Sequence, residues 1–308
     1  MKTALLYSCV TALSLNLLTA AEGWMNDFEA AKQKAATENK SLLVDFTGSD
    51  WCGWCIRLDK EVFAHEVFAE GVADKFVLVE LDYPKDKTIL SEETIAQNNQ
   101  LKQKYQIRGY PTIYLMDADG LPFAKTGYKK GGPEAYLENL NELLEFKDSR
   151  DEAFTKADQA EGIAKAELLI SALKGLPEGV LHLYSEVLSQ VKTLDPQDSL
   201  GFQFEQQKKA DTLEIEKIPM KASRDKDYDT YKGQIADFIA KYSLEGTELQ
   251  DAKFTLLQLH SLAKDDPEII IATADEIIAL APETRAAKFS AQFKERFLKK
   301  QAEPATEE

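Results

Sequence analysis

Cys52 and Cys55, in the run Trp51-Cys52-Gly53-Trp54-Cys55, are the residues whose type and spacing could do chemistry. The chain has three cysteines, and the third, Cys9, lies in a stretch that reads as a removable leader. That leaves one Cys-x-x-Cys pair and no other thiol for a wider disulfide framework. Such a pair at a strand-to-helix junction is a redox device. One sulfur, as thiolate, attacks a disulfide, and the other resolves the mixed disulfide that forms. Cys52 is expected just before a helix, where unpaired N–H groups and the positive dipole end stabilise a thiolate. Cys55, one turn inside, is placed to resolve. Structural zinc is the competing use of the pair and needs four ligands. Only His65, His182 and His260 are available beyond it. His65 is too far along its predicted helix and the other two lie in a different part of the chain, so no metal is expected. No phosphate-binding glycine loop, dinucleotide fingerprint or serine elbow appears, and no cofactor is expected.

Other positions join the pair. Asp45 is a carboxylate inside the apolar run Leu42-Leu43-Val44-Asp45-Phe46. Burial raises the pKa of such a group, which could then take or return the Cys55 proton. The alternative is an aspartate at a strand end bonded to backbone. Gly109-Tyr110-Pro111-Thr112 enters a strand, where proline is compatible with an edge or a cis bond. A cis-proline loop there would lie against the sulfurs and present backbone to a peptide. Trp51 offers an apolar, partly exposed face to a substrate chain, with simple packing as the alternative. Trp51, Tyr110 and Pro111 are thus the candidate substrate-binding residues.

The elements that must hold these residues alternate in type. Residues 27–39 have helical composition. Leu42 to Phe46 and Phe76 to Leu81 read as strands buried on both faces. Ile56, Val62, Phe63 and Val67 predict one long amphipathic helix after the cysteines. Ser91 caps a helix reaching Tyr105. Thr112 to Met116 and Phe123 to Tyr128 form a hairpin about Asp117-Ala118-Asp119-Gly120. Gly131-Gly132-Pro133 starts another helix. This order predicts an α/β fold, a central mixed sheet flanked by helices, over residues 22–147.

The charged run Lys147 to Glu152 marks the expected boundary, after which strands give way to helical periodicity. Residues 148–300 are read as an all-helical domain of six or seven helices, and 301–308 as a disordered tail. Leu194-Asp195-Pro196 and Leu280-Ala281-Pro282 both stop an amphipathic helix, a weak echo of helical-hairpin repeats or a coincidence of helix stops. Phe202, Phe204, Tyr228 and Tyr231 are core residues or the wall of a docking groove.

Lys2, the apolar stretch Leu5 to Leu18 and Thr19-Ala20-Ala21 read as a secretory signal over residues 1–21. No later run reaches the ~20 apolar residues of a membrane span. An exported chain is expected, periplasmic or, alternatively, extracellular, with no membrane insertion once mature. Disulfides are made and broken in such compartments. The 37 basic against 53 acidic residues exclude a phosphate-binding surface and so nucleic-acid partners.

With these pieces in place the chain resembles the thioredoxin superfamily. The resemblance rests on Val44-Asp45-Phe46, Trp51 to Cys55, Tyr110-Pro111-Thr112 and Gly127, within residues 25 to 147. It implies Cys52 as nucleophile, Cys55 as resolving cysteine, Asp45 as buried acid and Pro111 as cis-proline. The segment before Trp51 is one residue longer than in small thioredoxins, and residues 83–99 are an insertion; both are similar to the exported bacterial branch. The Gly-Trp dipeptide is neither the Gly-Pro of reducing thioredoxins nor the Pro-His of strong oxidants, which leaves oxidase, isomerase and reductase open. Residues 76–81 lack the lysine that often partners the buried acid. The implied activity is dithiol–disulfide exchange on proteins carrying thiols or disulfides, with a second protein recharging the pair. The alternative is a binding or scaffold module in which Cys52–Cys55 is a structural bridge. Homodimerisation through the helical domain is a further expectation.

Overall fold

The computed structural model describes residues 23–177 and 179–302. The leader read at residues 1–21 lies outside them, as do residues 303–308 of the expected tail. The chain divides into two compact units after Gln197.

The first unit is built on one mixed sheet. Its elements run β1 (Trp24–Met25), α1 (Phe28–Glu38), β2 (Ser41–Thr47), α2 (Gly53–Leu58), α3 (Glu66–Val72), β3 (Phe76–Asp82), α4 (Glu92–Lys104), β4 (Thr112–Met116), β5 (Pro122–Thr126) and α5 (Gly132–Asp158). The strand order is β1-β3-β2-β4-β5. β1, β3 and β2 are parallel, whereas β4 and β5 run antiparallel to their neighbours. Local chemistry sets the element ends. Asp27 caps α1 by accepting the Ala30 N–H, and Ser91 caps α4 by accepting that of Thr94. In the β4–β5 turn Asp117 accepts the N–H groups of Asp119 and Leu121. Gly120 takes φ +82°, where a Cβ would also crowd Phe28 and Tyr105.

Side-chain alternation divides the buried strands between two cores. Leu42, Val44, Phe46, Val77, Val79 and Leu81 face Phe28, Tyr105 and Tyr114. Leu43, Phe76, Ile113 and Leu115 face Leu58, Phe63, Phe68 and Tyr136. The single long helix expected after the cysteines is broken. α2 gives way to a π-helical turn, Asp59–Phe63, and α3 starts afresh after His65. The apolar periodicity concealed the break, because Val62 and Phe63 just before it and Phe68 just after it are buried, while Ile56 and Val67 are exposed.

The boundary expected at 147/148 falls inside α5, a continuous helix of 27 residues. The chain beyond it, α6 (Gly162–Leu173) and α7 (Ser185–Leu194), stays with the first unit. Arg150, within the run read as a boundary, is buried; it donates to Tyr184 Oη at 2.9 Å and reaches Asp117 at 3.5 Å. Tyr184 in turn donates to the Pro122 carbonyl, and Val180 is fully buried in the α1-side core.

The second unit contains α8 (Phe202–Glu216), α9 (Ile218–Asp225), α10 (Tyr228–Tyr242), α11 (Gly246–Ala263), α12 (Pro267–Leu280) and α13 (Arg285–Ala302). From α10 onward each helix packs on the next. The interior holds Ile235, Phe238, Tyr242 and Leu259, then Leu257, Ile270, Ala274 and Ile277. Tyr228 and Tyr231 pack against that interior, whereas Phe204 is exposed with its ring edge-on to Tyr242. Counting α6 and α7, eight helices follow α5 among the described residues, against the six or seven expected. None of the described helices is long and apolar enough to cross a membrane.

Candidate active site

β2 ends at Thr47 and a short loop, Gly48 to Trp51, delivers Cys52 to the start of α2. Cys52 is the N-cap: its backbone is extended and its Sγ accepts the Cys55 N–H at 3.2 Å. A sulfur at this position meets the free N–H groups and positive dipole end of the helix. Cys52 and Cys55 form a disulfide. Both are almost fully buried, 5% and 4% exposed, so in this oxidised state burial does not single out an attacking sulfur.

Asp45 lies two residues before the end of β2, and its side chain points under α2. It is 6% exposed, and its Oδ1 is buried without a hydrogen-bond partner. The alternative of a strand-end aspartate bonded to backbone is thus not met at that oxygen. Burial foremost, then the charges of Glu80, Asp59 and Asp82, holds its pKa well above the usual carboxylate range. Asp45, Asp59, Glu80, Asp82 and Cys55 line one cavity of about 700 Å³. Asp59 is four residues after Cys55, one turn along the same helical run, and burial raises its pKa too.

The strand-entry loop reaches the same end of the sheet. Antiparallel pairing sets Thr112 opposite Phe46, so the residues before Thr112 lie at the end of β2 from which the cysteine loop leaves. The Tyr110–Pro111 bond is cis. Trp51 is 40% exposed and anchored, its Nε1 donating to the Tyr83 carbonyl at 2.8 Å. Its ring meets Tyr110 edge-on at 5.6 Å, and Tyr110 meets Tyr83 at 5.3 Å. Gly48 is required beneath it, since a Cβ there would come within 2.6 Å of the indole. Trp54, more exposed, tilts against Tyr128 at 5.1 Å, and the Arg57 guanidinium lies over both rings.

The candidate residues from the sequence therefore gather at one end of one sheet. Sequence reasoning missed Tyr83, Asp59 and Glu80. Tyr83 stood in the segment read as an insertion, and the two acids looked like ordinary polar positions of a helix and a strand. The absent lysine in residues 76–81 was the available signal for Glu80, because that strand has a carboxylate opposite Asp45 instead. His65 is exposed at the start of α3, and its Nε2 lies 3.2 Å from the Lys60 carbonyl.

Residues 23–118 match the sequence family described as Thioredoxin-like. Over 130 residues, 42% of this chain and 78% of the relative, the sequence is 29% identical to the disulfide bond reductase DsbH of Chlamydia pneumoniae. Over 118 residues it is 37% identical to the thioredoxin-related protein DsbJ of the same organism, covering 36% of this chain and 34% of DsbJ. This chain thus spans about a third of the length of that second relative. A solved structure of a DsbH oxidoreductase, 28% identical, covers 45% of this chain and 95% of its own, with a TM-score of 0.39. The chain carries a thioredoxin-superfamily domain. Its class is that of the thiol–disulfide oxidoreductases.

Proposed function

We propose that this is an exported thiol–disulfide oxidoreductase that acts on protein substrates through Cys52 and Cys55, in the reducing direction. In the oxidative half of the cycle the Cys52 thiolate attacks a substrate disulfide and a mixed disulfide forms. Cys55 gives its proton to Asp45, attacks Cys52, and the substrate thiolate departs. Two electrons pass from the pair to the substrate, and a partner dithiol protein recharges it. Trp51, Tyr110 and Pro111 form the face that receives the substrate segment. The leader read at residues 1–21 supports export to the periplasm or beyond. The helical part from residue 148 onward serves as a holding or dimerising surface in this reading.

The observation that carries the proposal is the Cys52–Cys55 disulfide capping a helix above a buried aspartate with an unpartnered oxygen. The direction rests on the carboxylates around Cys55. An oxidant of this kind gains its power from a stabilised thiolate in the reduced state. Asp45, Asp59 and Glu80 line a buried cavity with Cys55 and bring no positive charge to hold a thiolate, whereas the helix dipole contributes only about 0.3–1 kcal/mol. The name of the relative DsbH points the same way.

The test is a pair of variants. Cys52→Ser is expected to lose turnover of a disulfide substrate by about a thousandfold or more. Cys55→Ser is expected to accumulate mixed disulfides through Cys52, seen as adducts on non-reducing gels. A wild-type protein without turnover, together with a Cys55→Ser variant that captures nothing, would leave the binding-module reading with a structural bridge.

A further inference from the structure

The pairing of β2 with β3 is in register, Asp45 opposite Glu80 and Thr47 opposite Asp82. Residues paired in this way point to the same face. That face is the one covered by α2, because Leu43, two residues before Asp45, and Leu78, two before Glu80, belong to the same core as Leu58 and Phe63. Asp45 and Glu80 are therefore neighbours across two strands, beneath Cys55. Their depths differ: Asp45 is buried, and Glu80 is only half-buried at the cavity wall.

The groups facing Asp45 can be named element by element. Cys55 faces it from α2, Asp59 from the π-helical turn, and Glu80 and Asp82 from β3. Ile113 is its partner on β4, and the buried Tyr136 hydroxyl approaches from α5. Among the described residues no lysine, arginine or histidine lines the cavity. Asp82 is occupied, accepting the Ser49 N–H at 2.9 Å and the Ser49 hydroxyl. Every charge bearing on Glu80 is another carboxylate, and with burial they raise its pKa. Two adjacent carboxylates, one buried and one half-buried, without a cation cannot both stay ionised at little cost; they share a proton.

We propose that Glu80 is a second proton-carrying residue, which shares one proton with Asp45 and passes to solvent the proton that Cys55 gives up. This rests on the exchange mechanism proposed above. At rest the pair of carboxylates holds one proton, on Glu80 when Asp45 is ready to accept. In the resolving step the Cys55 S–H bond breaks and its proton goes to Asp45. The Cys55 sulfur bonds to Cys52 as the Cys52–substrate S–S bond breaks, and the substrate thiolate leaves with that electron pair and is protonated by water. The two carboxylates then hold two protons, and Glu80, nearer the opening, releases one. Glu80 touches no reacting sulfur; it acts through Asp45.

The test uses the full-length reduced protein and oxidised glutathione as the disulfide probe. The resolving phase is followed by tryptophan fluorescence as a function of pH. In the wild type the rate rises with pH in two steps, as a coupled pair requires. In Glu80→Gln one step remains, about one pH unit or more below the upper wild-type step. In Glu80→Lys the ammonium moves that step lower still; Glu80→Gln is close to isosteric and carries the test if the lysine variant fails to fold. A merely structural role would change stability or amplitude but not the number of steps. Superimposable profiles in wild type and Glu80→Gln overturn the inference, and the mechanism survives if Asp45→Asn still slows the resolving phase. If Asp45→Asn leaves that phase unchanged, the inference and the Asp45 assignment fall together.

Discussion

β2 and β3 show two different faces to the interior. On the α1 side their residues, Val44, Phe46, Val79 and Leu81, are apolar and pack among aromatic rings. On the α2 side the same strands carry Leu43, Phe76 and Leu78 and end in Asp45, Thr47, Glu80 and Asp82. Burial does not set Asp45 and Asp82 apart from the apolar face: Val44 is 0% exposed and they are 6% and 7%, while Glu80 is half-buried. An alternating strand usually turns its polar residues to water. Here they turn toward a helix start and a pair of sulfurs. The apolar face holds the sheet together, and the acidic face spends stability to set protonation at the sulfurs.

Exchanging the two faces gives the largest expected effect. A Val79→Asp variant sets an unpaired carboxylate among Phe28, Phe46 and Tyr114, and is expected to lose about 3–5 kcal/mol in urea unfolding. Retained stability would mean that the α1-side core is open to water.

The reverse change is expected to help. The pKa of Asp45 is raised in the folded chain, so folding favours the protonated form. As pH rises from the ordinary carboxylate range, about 4, toward the raised value, the unfolded chain binds fewer protons than the folded one and stability falls. Asp45→Asn removes that loss. It is expected to stabilise the protein by about 1–3 kcal/mol at pH 7 and to have little effect near pH 4. A less stable variant at pH 7 would show that Asp45 is a structural acceptor.

A smaller effect is expected at the rim. Trp51→Phe removes the hydrogen bond to the Tyr83 carbonyl and keeps most of the ring contact with Tyr110. It is expected to cost about 1 kcal/mol and to weaken substrate capture more than it slows the chemical step. An unchanged KM for a peptide disulfide would remove Trp51 from the docking face.

The faces also show what could be read in advance. The strands were legible because an apolar run as short as Leu42 to Phe46, bounded by polar residues, fits a buried strand better than a helix. The pair was legible through its spacing, and Asp45 through being the one charge in its run. Glu80 was not, because register decides which strand positions become neighbours and register is a tertiary property. β1 was missed because two residues carry no pattern of their own. The boundary was misplaced because Lys147 to Glu152 has a linker's composition, yet Arg150 is buried against Tyr184 and Phe123, rings whose proximity only the fold creates. The break at Ala64 and His65 was masked because a π-helical turn keeps apolar residues facing inward.

The measurement that tests the central claim most directly is a glutathione redox titration of the folded full-length protein, with thiols trapped in acid and counted by mass. The account predicts a reversible two-electron transition of Cys52 and Cys55, nearer to about −270 mV than to about −120 mV, because the acidic face withholds stabilisation from a thiolate. A potential near the oxidising value would contradict the direction assigned to the carboxylates. A pair that is reduced only on unfolding would contradict the exchange mechanism itself.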